Sequence, residues 1–295
     1  MDHLNYESIK LIATDIDGTL LNSKKQISDL TKQSLIEMQK KGKRIALCTG
    51  RAPFETKSFI QELQLDQYKG YIVYGNGAGI ICCEDNKNIS FDPLKQEEIH
   101  YIVTLAREYH LYIIAEYQNQ YIVESNKWVQ LKRKFARKHD ALLRKYFSHV
   151  RMTNFLYMSR TAVDVNDILE YLTTSVNKFI IRGKPKNVDQ FIKRLKETDL
   201  YNLYRLTKSS VEVNHFNVSK ANALTELYKK LNLKDSQVVV FGDSMNDHEM
   251  LSNFPNSVAM GNADQQTKEI ASYTTVTNDE DGIIHFLKSI ERGIV

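Results

Sequence analysis

Two carboxylates two residues apart, Asp15 and Asp17, stand in the run Asp15-Ile16-Asp17-Gly18-Thr19. The run follows Ile9-Lys10-Leu11-Ile12-Ala13-Thr14, whose apolar character suits a strand buried on both faces. Carboxylates that share one face repel each other unless a cation lies between them. In open α/β sheets, ligands bind beyond the carboxyl ends of the strands. A second acidic turn, Gly242-Asp243-Ser244-Met245-Asn246-Asp247, ends another buried-type run, Val238-Val239-Val240-Phe241. If the two strands are neighbours, Asp15 and Asp243 meet. Oxygen ligands with no His or Cys nearby favour Mg²⁺ over zinc. An Asx turn accounts for either motif alone; the two together point to a metal-centred site.

Three smaller signals sit at comparable places. Thr49-Gly50-Arg51 follows the strand pattern Arg44–Cys48 and precedes a helix, which is a ready anion site. Lys220 opens a helical stretch, where a cation opposes the helix dipole unless an anion compensates. Asn76, in Gly75-Asn76-Gly77-Ala78, ends a third strand pattern at Tyr71–Tyr74 and is by itself a turn signal.

The elements that must position these residues alternate. Strand patterns at 9–14, 44–48 and 71–74 are separated by helical ones at about 28–41 and 54–63. Short connections and buried strands predict a doubly wound parallel α/β sheet. The pattern resumes with a helix over 219–231 and strands at 238–241 and 257–260. The middle differs. Helical patterns near 97–109, 126–143, 163–173 and 187–198 mix with alternating strands at 111–117, 121–124, 178–182 and 203–207. That alternation predicts an inserted α+β domain over 85–208 whose sheet has one solvated face. The parallel core then comprises 1–84 and 209–295. Charge divides the same way: residues 95–208 carry 21 Lys and Arg against 12 Asp and Glu, and the remainder 19 against 24. A basic module suits an anionic ligand and an acidic one suits a metal.

Composition bounds the class. The chain has 295 residues, 42% hydrophobic and 26% charged, with 12 Gly and 4 Pro. These values exclude a disordered tail or a linker-rich protein. No apolar run approaches the roughly 20 residues of a membrane-spanning helix. The N-terminal run MDHLNYESIKL lacks the apolar segment of a secretory signal. Three cysteines, Cys48, Cys82 and Cys83, form no disulfide framework, and the expected location is the cytoplasm.

The series Asp-x-Asp-Gly-Thr, Thr-Gly-Arg, an isolated Lys and Gly-Asp-x-x-Asn-Asp resembles the motifs of the haloacid dehalogenase-like phosphohydrolases. The insertion after the third strand is similar to the α/β cap of the Cof-type subfamily, and the resemblance covers nearly the whole chain. It implies a Rossmann-like core and a cap that sets substrate choice. It implies a Mg²⁺-dependent phosphomonoester hydrolase that works through an aspartyl-phosphate. Asp15 is then the nucleophile, and Asp17 the general acid and later base. Mg²⁺ would be held by Asp15, Asp17 (through its backbone carbonyl), Asp243 and Ser244. Ile16, Thr49, Gly50, Lys220 and Asn246 would bind the transferring phosphate. Arg51, Asn76 and Asp247 would touch the substrate or support these groups. The expected partner is a small phosphorylated metabolite, a sugar phosphate or phosphorylated cofactor, with no membrane.

Two other functions fit parts of the sequence. A phosphotransferase or phosphosugar mutase would pass the phosphoryl group to a hydroxyl on the same core. A nucleic-acid-binding regulator would use the basic stretch 127–139, where Trp128, Leu131 and Phe135, with Leu142 just beyond it, form an apolar stripe among Lys132, Arg133, Lys134, Arg137 and Lys138. A solvated basic helix packed by that stripe is the preferred reading, so no nucleic acid is expected.

Overall fold

The computed structural model describes residues 4–125 and 162–294, with residues 130, 131, 134 and 138 between them. The chain divides into two units, Met1–Asp92 with Asn217–Val295, and Pro93–Phe216. These changeovers lie beyond the expected 84 and 208. A short strand at 88–90 still pairs within the first unit's sheet, and the strand over 210–215 belongs to the second's.

In the first unit, β1 (Leu11–Thr14) lies between β2 (Arg44–Cys48) and β12 (Val238–Gly242), parallel to both. Adding β3 (Tyr71–Tyr74), β13 (Ser257–Ala259) and β14 (Tyr273–Thr274) gives the parallel order β14-β13-β12-β1-β2-β3. The antiparallel strands β4 (Gly79–Cys82) and β5 (Asn88–Ser90) extend that edge.

β1 is buried throughout because its alternate residues feed two apolar layers. Ile12 joins Ile45, Leu47, Val239 and Phe241 under α1 (Asp29–Lys40) and α8 (Gly282–Glu291), from which Leu35, Ile283 and Leu287 enter. Leu11 and Ala13 join Ala46, Val238 and Val240 under α6 (Lys220–Lys230) and α7 (His248–Asn253), which contribute Leu224, Leu227 and Met250. With helices on both faces, the polar groups are confined to the strand ends. The helix expected over 54–63 forms as a 3₁₀ turn at Pro53–Glu55 and a short α2 (Lys57–Glu62).

The second unit is a sheet in the order β10-β11-β9-β6-β7-β8. Its strands are β6 (Tyr112–Tyr117), β7 (Gln120–Glu124), β8 (Ala162–Val165), β9 (Lys178–Arg182), β10 (Tyr201–Thr207) and β11 (Ser210–His215). One face packs Ile113, Phe179, Ile181 and Val211 against α3 (Gln96–Glu108) and α5 (Pro185–Lys196). The opposite face was expected to be solvated. Instead Glu116, Lys178, Glu212 and Asn214 are buried there, and Lys178 Nζ lies 2.6 Å from Glu212 Oε1. Mutual neutralisation is what lets alternating charges leave water. The helix expected over 163–173 is corrected to β8 and the single-turn α4 (Ile168–Tyr171). Val163 and Val165 pair with β7, and Asp167 caps the turn that follows. The basic helix expected over 126–143 falls outside the described residues except at 130, 131, 134 and 138.

The loop after β3 has almost no slack. Gly77 has φ +103°, and a Cβ there would lie 2.1 Å from the Ser219 carbonyl oxygen, where α6 begins. Ser219 caps that helix, its Oγ accepting from the Asn222 amide at 3.2 Å. Gly77→Ala is expected to cost about 1–3 kcal/mol through backbone strain alone, with more from displacing α6. A urea midpoint equal to wild type would contradict this.

Candidate active site

The site grows from one backbone register. Thr14 of β1 lies opposite Phe241 of β12, and the Asp15 amide donates to the Phe241 carbonyl at 3.0 Å. The two chains therefore leave the sheet side by side, one into Asp15 and the other into Gly242 and Asp243. Asp15, Asp243 and Asp247 each present a carboxylate oxygen, and the three oxygens lie within 4.8 Å of one another.

Lys220 enters this group from the first turn of α6. Its Nζ lies 2.6 Å from Asp15 Oδ1 and 2.7 Å from Asp247 Oδ1, with all three residues buried. The helix-opening cation thus has two anions in place of one. Asp247 Oδ2 accepts the amides of Asp243 and Ser244 at 3.0 and 3.1 Å, which rigidifies the turn after β12. The Ser244-x-x-Asp247 spacing is that of a capping box.

The first acidic turn is held as closely. Gly18 has φ +91°, and a Cβ there would fall 2.3 Å from Asp243 Oδ2. Only glycine lets this backbone approach the carboxylate so closely. Thr19 Oγ1 donates to Asp243 Oδ1 at 2.8 Å. Asp17 points elsewhere. Arg51 grips it with both Nε and Nη2, at 2.7 and 2.9 Å, and Lys25 adds a contact at 3.2 Å.

The remaining candidates surround this centre. Thr49 is buried, its Oγ1 accepting from the Arg51 amide at 3.1 Å, and Gly50 lies between them. Ile16 is sealed in the apolar layer, which leaves only its backbone available to a ligand. Ser244 Oγ donates to Asn246 Oδ1 at 2.7 Å, and Asn246 Nδ2 donates to Asn76 Oδ1 at 3.3 Å. Asn76 is buried with φ +61°, its amide on the Thr49 carbonyl at 2.9 Å. The loops after β2, β3 and β12 are thereby joined. Sequence reasoning gave no role to Lys25 and no partner to Thr19; it gave Asp247 a supporting place, and the structure sets its carboxylate within the acid cluster. The capping-box spacing was the available signal for Asp247.

Electrostatics single out the acid cluster. Burial first, then the charge of Asp247, pushes the Asp243 carboxyl up to about 6. Burial pushes Asp15 above its ordinary value too, with Lys220 opposing and Asp247 and Asp243 adding to the rise. Burial alone would lower Lys220, but the carboxylates of Asp15 and Asp247 reverse this and hold it above the ordinary lysine value. Asp17 is the contrast: burial would raise it, yet the Arg51 bonds and charge, with Lys25, keep it below the usual carboxylate range.

Three carboxylates against one buried cation leave uncompensated negative charge. The described hydrogen bonds engage Oδ1 of Asp15 and of Asp243 and leave Oδ2 of each for a ligand. An all-oxygen set of this kind fits a hard divalent cation. Asp15 and Asp243 would hold it, with Asp247 completing the charge. Asp17 could contribute only through its backbone, since its side chain is committed to Arg51.

Known proteins resemble this chain over nearly its whole length. The haloacid dehalogenase-like hydrolase family matches residues 12–287, and the chain belongs to that family. It is 28% identical to phosphatase YwpJ of Bacillus subtilis, over 96% of this chain and 100% of that one. It is 27% identical to the B. subtilis 5-amino-6-(5-phospho-D-ribitylamino)uracil phosphatase YcsE, over 93% of each. A haloacid dehalogenase-like hydrolase from Bacteroides thetaiotaomicron superposes with a TM-score of 0.77 at 29% identity, over 96% of this chain and 99% of that one. The fold is thus a Rossmann-like core with an inserted cap unit, and the protein is a phosphatase. No described helix is long and apolar enough to cross a membrane.

The raised Asp243 carboxyl has a sign that can be checked. Between its ordinary 3.8 and about 6, the folded chain holds a proton that the unfolded chain has lost. Its contribution to stability therefore falls as pH rises through that window. Without divalent cations, the melting temperature of Asp243→Asn should fall less than wild type between about pH 4 and 6. Added divalent cation should flatten the wild-type profile. Superimposable profiles for wild type and variant in EDTA would refute the assignment.

Proposed function

We propose that this phosphatase hydrolyses small phosphorylated metabolites by way of a phosphoryl group carried on Asp15. The observation that carries this reading is the Lys220–Asp15 contact of 2.6 Å inside a buried acid cluster. A carboxylate nucleophile is ordinarily charged at neutral pH, and Asp15, pushed upward by burial and by its acidic neighbours, needs charge compensation more than it needs a base. Lys220 supplies part of that compensation. Mg²⁺, when bound, would neutralise phosphoryl oxygens and the remaining acid charge.

Asp15 would attack phosphorus while the bond to the leaving oxygen breaks. Asp17, on the same turn, once released from Arg51 and Lys25 and so able to take up a proton, would give it to that oxygen and later take one from the water that opens the acyl phosphate. Arg51 keeps Asp17 on one side of the turn until a substrate arrives. The hydroxyl of Thr49, the backbone of Gly50 and Ile16, Lys220 and Asn246 would hold the phosphoryl oxygens. Sugar phosphates and phosphorylated cofactor precursors fit the chemistry, and the YcsE relative is named for a phosphorylated ribityl compound. The basic composition of residues 95–208 supports anionic substrates and a specificity role for the insertion. Three free cysteines suit a reducing cytoplasm.

Two experiments test the reading on a panel of phosphomonoesters. Asp15→Asn keeps the side-chain size and loses the nucleophile, so kcat should drop by at least about a hundredfold in a folded protein. Activity near wild type would remove Asp15 from this role. Asp243→Ala should raise the Mg²⁺ concentration for half-maximal rate by about tenfold or more, the scale of a lost metal contact. EDTA should silence wild type, Mg²⁺ should restore it, and Ca²⁺ should do so poorly. Undiminished turnover in EDTA would rule out the metal.

A further inference from the structure

The turn that carries Asp17 is fixed from a distant part of the chain. Its backbone carbonyls at Gly18 and Leu21 accept from two asparagines that neither the acid cluster nor the phosphate contacts include. Asn262, just past β13, donates from Nδ2 to the Gly18 oxygen at 2.9 Å. Asn278, in the 3₁₀ turn Asn278–Glu280 after β14, donates from Nδ2 to the Leu21 oxygen at 2.7 Å. The two are coupled, because the Asn278 amide donates to Asn262 Oδ1 at 3.0 Å and so fixes which way the Asn262 amide faces. Further along, Asp279 Oδ1 accepts the Ser23 amide at 2.7 Å, and Asp281 Oδ1 accepts the Thr31 hydroxyl at 2.8 Å and that of Ser28.

β13 is separated from β1 by β12, so Asn262 reaches across a strand to hold a turn that its own strand does not touch. From the Asp15 side the turn is tied by its own bonds: the Leu20 amide donates to the Asp15 carbonyl and the Leu21 amide to that of Ile16. Asp243 packs against Gly18 and Thr19. The asparagines secure the opposite side, beyond Asp17.

We propose that Asn262, oriented by Asn278, is a positioning residue that sets where Asp17 presents its carboxyl to the leaving oxygen. The proposal rests on the function given above. In that reaction Asp15 forms its bond to phosphorus, the bond from phosphorus to the leaving oxygen breaks, and that oxygen takes its proton from Asp17. A reacting group displaced by about 1 Å loses about a hundredfold in rate. The loss from a loosened turn falls on the proton-dependent step, so it scales with how much the leaving group needs the proton.

The test compares an alkyl phosphate, glycerol 3-phosphate, with 4-nitrophenyl phosphate, whose leaving phenolate needs little protonation. Asn262→Ala and the isosteric Asn262→Asp, which lacks the donor, should lower kcat on the alkyl ester by about 30- to 100-fold. On the aryl ester the loss should be less than about fivefold, with KM within about threefold on both. Asn278→Ala, which removes only the Leu21 contact, should show the same inequality at smaller amplitude and serves if the Asn262 variants fold poorly. Hydrogen exchange at the Leu20 and Leu21 amides should quicken in all three. Equal losses on the two esters, or a lowered melting temperature with kcat unchanged, would overturn the proposal. A wild type inactive on both esters would instead count against the phosphatase chemistry assigned to Asp15 and Asp17, and the exchange rates would still decide whether the asparagines hold the turn.

Discussion

A lysine with no access to water, shared by two carboxylates, is the constraint on which the site depends. Removing Lys220 would leave Asp15 and Asp247 buried, adjacent and charged, a situation that costs several kcal/mol. Keeping it fixes the start of α6, because the ammonium can reach both partners only from the first turn. That in turn fixes Ser219, against which Gly77 packs, and through the Gly77 loop the buried amide of Asn76. One ion triad thus coordinates the ends of β1, β3 and β12 with a helix N-terminus. It still does not balance the charge, since Asp243 stands beside it with only a hydroxyl partner at Oδ1. The fold holds a deficit of one kind of charge where phosphoryl chemistry would use a cation.

The two acids of the first motif are separated by environment more than by distance. Asp15 is buried beside like charges and pushed upward, whereas Asp17 is half-exposed, gripped by a guanidinium and pulled downward. Two residues of identical chemistry on one turn are thereby set apart, and Asp17 would have to leave Arg51 before it could carry a proton. Arg51 also stacks over the Phe59 ring at 5.2 Å, so its fork is aimed by α2 as well as by the carboxylate.

Much of this was legible in the sequence because buried parallel strands announce themselves. β1, β2, β3 and β12 are continuous apolar runs, and each ends in a polar motif that the sheet has no room to bury elsewhere. The inserted unit was harder to read. Val163 and Val165 stand in a stretch expected to be helical, yet their two-residue spacing, their β-branched side chains and a strand partner in β7 decide for a strand. Lys178 and Glu212 alternate with apolar neighbours as solvent-facing residues do, and only their pairing across β9 and β11 shows that both are buried. Asn262 and Asn278 carry no local signature at all, since their meaning lies in carbonyls more than 240 residues away.

That separation has a consequence for how the molecule comes into being. The acid cluster joins positions 15, 220, 243 and 247, and the turn beside it is secured from 262 and 278. β1 sits at the sheet centre, yet one of its two partner strands is made more than 220 residues later. During synthesis at about 5–20 residues per second, the first strand would wait many seconds for that partner. The inserted unit, whose contacts close within about 125 residues, can fold in the interval. An unfinished chain therefore holds Asp15 without Lys220, Asp243 or the asparagines. The site is complete only once residue 278 has been made.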